Sequence, residues 1–139
     1  MGCEFIFMIY FLYYLAILIP LGIVDALWLG VVAKGFYAER MGFLFQKSIN
    51  FTPAVLFYLI YAAVVLTLSV MPAIDKNNWL EALWRGALLG LAAYSAYDLT
   101  NQTTIANWPW TVTVVDILWG VFVTAVTSMI AFLIINYFK

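Results

Sequence analysis

Three aspartates dominate the chemistry available to this chain. Asp25 and Asp116 each sit in a short element, Val24-Asp25-Ala26-Leu27-Trp28 and Val115-Asp116-Ile117-Leu118-Trp119, surrounded by apolar sequence. Asp98 follows Tyr97 and lies three residues before Asn101. An acid and a Trp three residues apart share one helix face, so each element can present a carboxyl group beside an indole. Placing an Asp at mid-helix in a bilayer costs about 2.5–3.5 kcal/mol. Both acids should therefore face the bundle interior or a wet cavity, where intramembrane acids bind ligands, carry protons or lock helix packing. Three ionised carboxylates near one another would repel, so at least one should be protonated, hold a cation or pair with Lys34 or Arg40.

The remaining catalytic inventory is thin. Histidine is absent, which removes imidazole acid–base chemistry, histidine metal ligation and the usual triads. Cys3 is the single cysteine, so neither an intrachain disulfide nor a cysteine metal cluster is available. The nucleophile elbow, the zinc-protease helix motif, the phosphate-binding loop and paired acid motifs are all missing. The acids and Asn101 could offer oxygen ligands to Mg²⁺, but no spacing requires a metal, so no metal or cofactor is expected. A binding role is expected ahead of catalysis. The candidate ligand-binding residues are Asp25, Trp28, Asp98, Asn101, Asp116 and Trp119, with Lys34, Tyr37, Tyr94 and Tyr97 in support.

The elements that position these residues follow from composition. The chain has 139 residues, 67% hydrophobic and 9% charged, with mean hydropathy +1.03. A soluble domain has about 45–50% apolar and about 25% charged residues, so this chain is read as an integral membrane protein. A spanning helix needs roughly 20 apolar residues. The chain accommodates a single all-α domain, 1–139, with four transmembrane helices near 5–33, 52–71, 80–99 and 111–138. A leader peptide is not expected, because Glu4 replaces the usual basic start and the apolar run is too long. Residues 34–50 mix Lys34, Glu39, Arg40 and Lys47 with aromatic residues, which suits a partly interfacial connection. Gly35 and Gly42 argue against one unbroken helix there. A net charge of −1 gives no reason to expect nucleic acid as a partner.

Local signals refine the spans. Pro20 should kink the first helix, Pro53 suits a first turn, and Pro72 marks the exit of the second span. Gly22/Ala26/Gly30 and Ala82/Gly86/Gly90 form small-residue strips suited to close helix packing. Glu81 and Arg85 should pair at i,i+4, and Trp108 and Trp110 look like interfacial belt residues. With four spans of alternating direction, Asp25, Asp98 and Asp116 fall at one side of the membrane. Trp28, Asn50, Tyr97, Asn101 and Trp119 join them. The two Asp-x-x-Trp elements then run antiparallel, and convergence on similar local needs explains their match better than duplication. Lys and Arg residues divide three and three between the sides, so they assign no orientation.

Several motifs together resemble a bacterial family of small four-helix membrane proteins, domain-of-unknown-function family 2177. They are Asp25-Ala26-Leu27-Trp28-Leu29-Gly30, Phe36-Tyr37, Tyr97-Asp98-Leu99-Thr100-Asn101, Trp108-Pro109 and Val115-Asp116-Ile117-Leu118-Trp119-Gly120. The resemblance covers nearly the whole chain. It implies a bacterial inner-membrane location and supplies no activity. It also hints at lipids, since such proteins are encoded near fatty-acid-modifying enzymes in some genomes. The leading expectation is a protein that binds a membrane lipid or another amphipathic small molecule at the acid cluster. The alternatives are a proton- or cation-coupled carrier, and a structural subunit that forms a homo-oligomer or joins a membrane partner protein through its glycine strips.

Overall fold

The computed structural model describes residues 2–45 and 47–139, without the Cys3 side chain, and these residues are almost entirely helical. Helix α1 (Cys3–Leu27) passes without interruption through Pro20 and continues into a π-helical turn, Trp28–Val32. Helix α2 (Lys34–Met41) follows at once and ends in a 3₁₀ turn, Gly42–Leu44, so Gly35 is accommodated within the helix and Gly42 closes it. Helix α3 (Thr52–Val65) carries Pro53 in its first turn, where the missing amide hydrogen leaves no bond unmade. The Asn50 side chain accepts the Thr52 amide at 3.1 Å and caps that start.

Helix α3 runs through a second π turn, Leu66–Val70, into α4 (Met71–Asp75). Pro72 does not end this span as its sequence position suggested. The π turn shifts the backbone hydrogen bonds just before it, and Pro72 occupies the first turn of α4, where it lacks no partner. The last two helices are α5 (Trp79–Thr104) and α6 (Trp110–Phe138). Their connections are tight because Asn77 (φ 47°) and Asn107 (φ 60°) take left-handed conformations that asparagine tolerates better than most residues. The Asn78 side chain then caps α5 by accepting the Leu80 amide at 3.0 Å.

Three segments are long and apolar enough to cross a membrane: Glu4–Val32, Thr52–Asp75 and Trp110–Phe138, with mean hydropathy 2.3, 2.4 and 2.3. Helix α5 matches them in length at 26 residues. Glu81, Arg85, Asp98 and its polar last turn make it the least apolar of the four. Composition therefore supports three spans, and α5 differs from the expected fourth in carrying its polarity at both ends.

Helix α6 is the hub. In its most apolar stretch 44% of residues are buried, against 17% and 28% in the other two spans, because neighbours cover it on several sides. Helix α5 packs antiparallel along it. Gly86 lies against Thr124, Ala125 and Ser128, and Gly90 lies against the Gly120 backbone, so a Cβ at either position would collide with α6. Helix α1 contributes Ile17 and Leu21 to a core shared with Tyr61, Val65, Val123, Phe132 and Ile135. It too runs antiparallel to α6. Asp25 meets Trp119, while Ile6, Ile9, Tyr10 and Tyr13 line a hollow with Lys139. Glu81 pairs with Arg85 at 2.7 Å, as its spacing predicts, and also with Lys76 at 2.5 Å.

The two small-residue strips have different fates. Gly86 and Gly90 are consumed in the α5–α6 contact, whereas a side chain at Gly22 or Gly30 would meet nothing within 4 Å. Gly90→Leu should therefore overpack the α5–α6 seam and destabilise the protein by about 1–3 kcal/mol, while Gly22→Leu leaves stability unchanged. Thermal unfolding in detergent checks this. Equal melting temperatures for the two variants would contradict the assigned seam.

Candidate functional site: an aspartate, tyrosine and tryptophan network

The π turn at Trp28–Val32 sets the site geometry. It widens the helix just after Asp25, and Ala33 (φ −100°, ψ 1°) then breaks from helical geometry so that α2 can change direction. Such single π turns recur at functional sites. Ala33, Tyr37 and Met41 pack in a small core with Trp108 and Val112, which holds α2 across the start of α6. Trp108 is therefore buried, with its Nε1 donating to Thr113 Oγ1 at 3.1 Å, and is not the interfacial belt residue its sequence context suggested. Trp110 is exposed.

Asp25 is 4% exposed and has partners on both oxygens. Tyr58 on α3 donates to Oδ2, and Trp119 Nε1 on α6 donates to Oδ1 at 2.7 Å. Trp28 stacks on Trp119 with ring centroids 4.2 Å apart and planes 7° from parallel. Trp28 Nε1 donates to the Tyr37 hydroxyl oxygen at 3.2 Å, and the Tyr37 hydroxyl donates in turn to Asp116 Oδ1. The two Asp-x-x-Trp elements thus serve each other. The acid of the first takes the indole hydrogen of the second directly, and the acid of the second is reached from the first through Tyr37. Burial raises the Tyr37 pKa, and the Asp116 hydrogen bond raises it further, so this hydroxyl stays a donor.

Asp98 is different. It is 0% exposed, and neither carboxyl oxygen has a donor among the described residues. Its carboxyl group lies within hydrogen-bonding reach of Asp116. Two carboxylates can only accept, so that contact becomes a hydrogen bond when one of them carries a proton. The Asn101 Nδ2 group, one turn along α5, is also buried without an acceptor. A buried unpartnered carboxylate costs more than a neutral group in the same position. Two acceptors and one donor, three residues apart on α5, are thus left without a partner among the described residues.

The ion pairs of the described residues join Arg40 to Glu39, Lys76 to Glu81 and Arg85 to Glu81, so none neutralises Asp25, Asp98 or Asp116. Lys34 is exposed and pairs with none of the acids, and the Arg40 guanidinium lies over Phe36 instead. Among the described residues no three His, Cys, Asp or Glu side chains converge as a metal site. Tyr94 packs its ring against Gly120, and the exposed Tyr97 meets Trp108 edge-on at 6.0 Å. The structure therefore gathers Asp25, Trp28, Tyr37, Asp98, Asn101, Asp116 and Trp119 at one end of the bundle, uses Tyr94 for packing and leaves Lys34 outside.

Tyr58 is the partner that sequence reasoning missed. Its signal was available: it lies near the start of the second span, and span parity puts it at the same membrane side as Asp25. Tyr61, one turn on, reaches Thr124 at 2.9 Å and ties α3 to α6 below the acids. A double-mutant cycle tests the Tyr58 assignment. Tyr58→Phe and Asp25→Asn should couple by about 1.5–3 kcal/mol in thermal unfolding, the range for hydrogen bonds to charged groups. Additivity within about 0.5 kcal/mol would show that the two side chains are independent.

Comparison with known proteins places this geometry in a family. Neither the curated proteins nor the solved structures give a match to the chain. A family model described as a predicted membrane protein, domain-of-unknown-function family 2177, matches residues 10–133, which include every residue of the network. The chain belongs to this family of membrane proteins.

Proposed function

We propose that this membrane protein binds a lipid-like amphipathic molecule, with its polar head among Asp98, Asn101 and Asp116 and its apolar part along the bundle. The observation that carries the reading is Asp98: a fully buried carboxyl group with no donor to either oxygen among the described residues, one helical turn from an Asn101 Nδ2 that has no acceptor among them. A head group with its own donors and an acceptor would satisfy all of these atoms. Asp25, Trp28, Tyr37 and Trp119 form the wall of the site, because their hydrogen bonds and stacking are already made within the protein. Tyr97, Asn101 and Asp116 retain partial or full exposure and offer the way in.

The reading includes four membrane crossings. Helix α5 lies antiparallel to α6 from Gly86 to Gln102, so the two share one slab of bilayer, and the close α6 surface at Gly86 and Gly90 covers part of its less apolar length. The acid cluster then sits near one membrane interface, at the depth of a lipid head group. A bacterial inner-membrane location agrees with the family resemblance. A proton- or cation-coupled carrier built on the same Asp98–Asp116 contact is the second reading, favoured by the open valence of that pair. Assembly with a second copy, or with another membrane protein, would use the unoccupied Gly22/Ala26/Gly30 strip.

Two measurements check this reading. Mass spectrometry of lipids that copurify with the protein should find a retained species in wild type, reduced at least about tenfold in Asp98→Asn and Asp116→Asn, equivalent to about 1.4 kcal/mol. Equal retention by all three proteins contradicts the site. For topology, cysteines introduced at Ile49 and Asn107 in a background lacking Cys3 should label from one membrane face, and a cysteine at Asn77 from the other. Labelling of Asn77 and Asn107 from the same face would remove α5 as a span.

A further inference from the structure

The charge balance of the cluster identifies the class of head group. Asp25, Asp98 and Asp116 carry up to three negative charges, and no Lys or Arg among the described residues pairs with any of them. Asp25 is stabilised by two donors, from Tyr58 and Trp119, and Asp116 by one, from Tyr37. Asp98, against Asp116, has none among the described residues. A phosphate or carboxylate head group placed there would add a like charge to a low-dielectric setting, where repulsion is strong. A neutral hydroxyl would supply one donor to a pair of carboxyl groups that lacks at least two. A primary ammonium supplies three donors and a compensating charge.

The neighbouring aromatic groups are already engaged within the protein and leave the acid pair as the part to be satisfied. Trp28 and Trp119 form a stacked pair beside the acids, and Tyr37 stands between Trp28 and Asp116. Asn101 adds a neutral donor at the rim, suited to an oxygen next to the amine. We infer that the Asp98–Asp116 pair receives the primary ammonium group of an amphipathic amine. The inference rests on the amphipath-binding reading above and narrows it to a cationic head group, carried either by an aminolipid or by a free amine.

Titration of the purified protein in dodecyl maltoside, followed by native mass spectrometry, separates the outcomes. The probes are dodecylamine, dodecanol, dodecyl phosphate and propylamine. Dodecylamine should bind wild type at least about tenfold more tightly than each of the other three, about 1.4 kcal/mol, and the preference should fall to about twofold or less in Asp98→Asn. Asp116→Asn serves as the second variant should Asp98→Asn not fold, with folding checked by circular dichroism. If all three dodecyl probes bind alike and Asp98→Asn weakens them equally, the site stands and the ammonium inference is overturned. Propylamine binding as tightly as dodecylamine, with the same Asp98 dependence, keeps the ammonium and overturns the lipid-like reading. Amine binding unaffected by either substitution, or no binding of any probe, overturns the inference. In those cases a shared proton satisfies the carboxyl pair.

Discussion

A carboxyl group in a low-dielectric bundle must find donors, and the end of this protein that holds its acids is arranged around that requirement. Asp25 draws Tyr58 from α3 and Trp119 from α6, so one side chain fastens three helices. Asp116 draws Tyr37 from α2, which holds that helix over the start of α6. The Trp28–Trp119 stack fills the space between the two acids. Such a network is worth more than its separate bonds, because each hydrogen bond in a low-dielectric setting polarises the next. The opposite end depends on other forces. There the Lys76–Glu81–Arg85 group lies at the surface, while between the two ends α5 and α6 are held by close contact at Gly86, Gly90 and Gly120.

Within this arrangement Asp98 is the exception. Neither of its oxygens has a donor among the described residues, and Asp116 adds a second acid beside it. Unpaired buried acids destabilise a fold, and groups that break a local rule without compensation tend to belong to functional sites. The structural and functional halves of the cluster are thereby distinguished. Asp25, with both oxygens engaged, is framework, and the proposed binding site is the Asp98–Asp116–Asn101 group.

Much of this was legible in the sequence. Hydropathy and the near absence of charge gave a helical membrane protein, and span parity brought Asp25, Asp98 and Asp116 to one end. The Asp-x-x-Trp spacing pointed to an acid beside an indole in each element; in the structure Asp25 takes the indole hydrogen of Trp119 from the other element, and Asp116 takes the Tyr37 hydroxyl instead. That pairing depends on helix α1 facing α6, and one-dimensional periodicity carries no such information. Both π turns were invisible for a related reason. A π turn is chosen by packing, here by Trp28 against Trp119 and by the Ser69 hydroxyl donating to the Ala82 carbonyl at 2.9 Å, and neither stretch carries a distinctive composition. Trp108 was misread because tryptophans near a Pro at a span boundary look interfacial, whereas the position of α2 buries this one. Helix α5 is the least clear element in sequence terms, since its polar ends lower its hydropathy while its glycines still pack into α6.

The central proposal is that a ligand closes Asp98. A high-resolution experimental density map of the protein purified from its native membrane tests this most directly. The account predicts non-protein density within hydrogen-bonding distance of Asp98 and the Asn101 Nδ2 group, continuing into a chain along the bundle. A map in which Asp98 and Asp116 close on each other, with no further density and Asn101 turned to a protein acceptor, would contradict it.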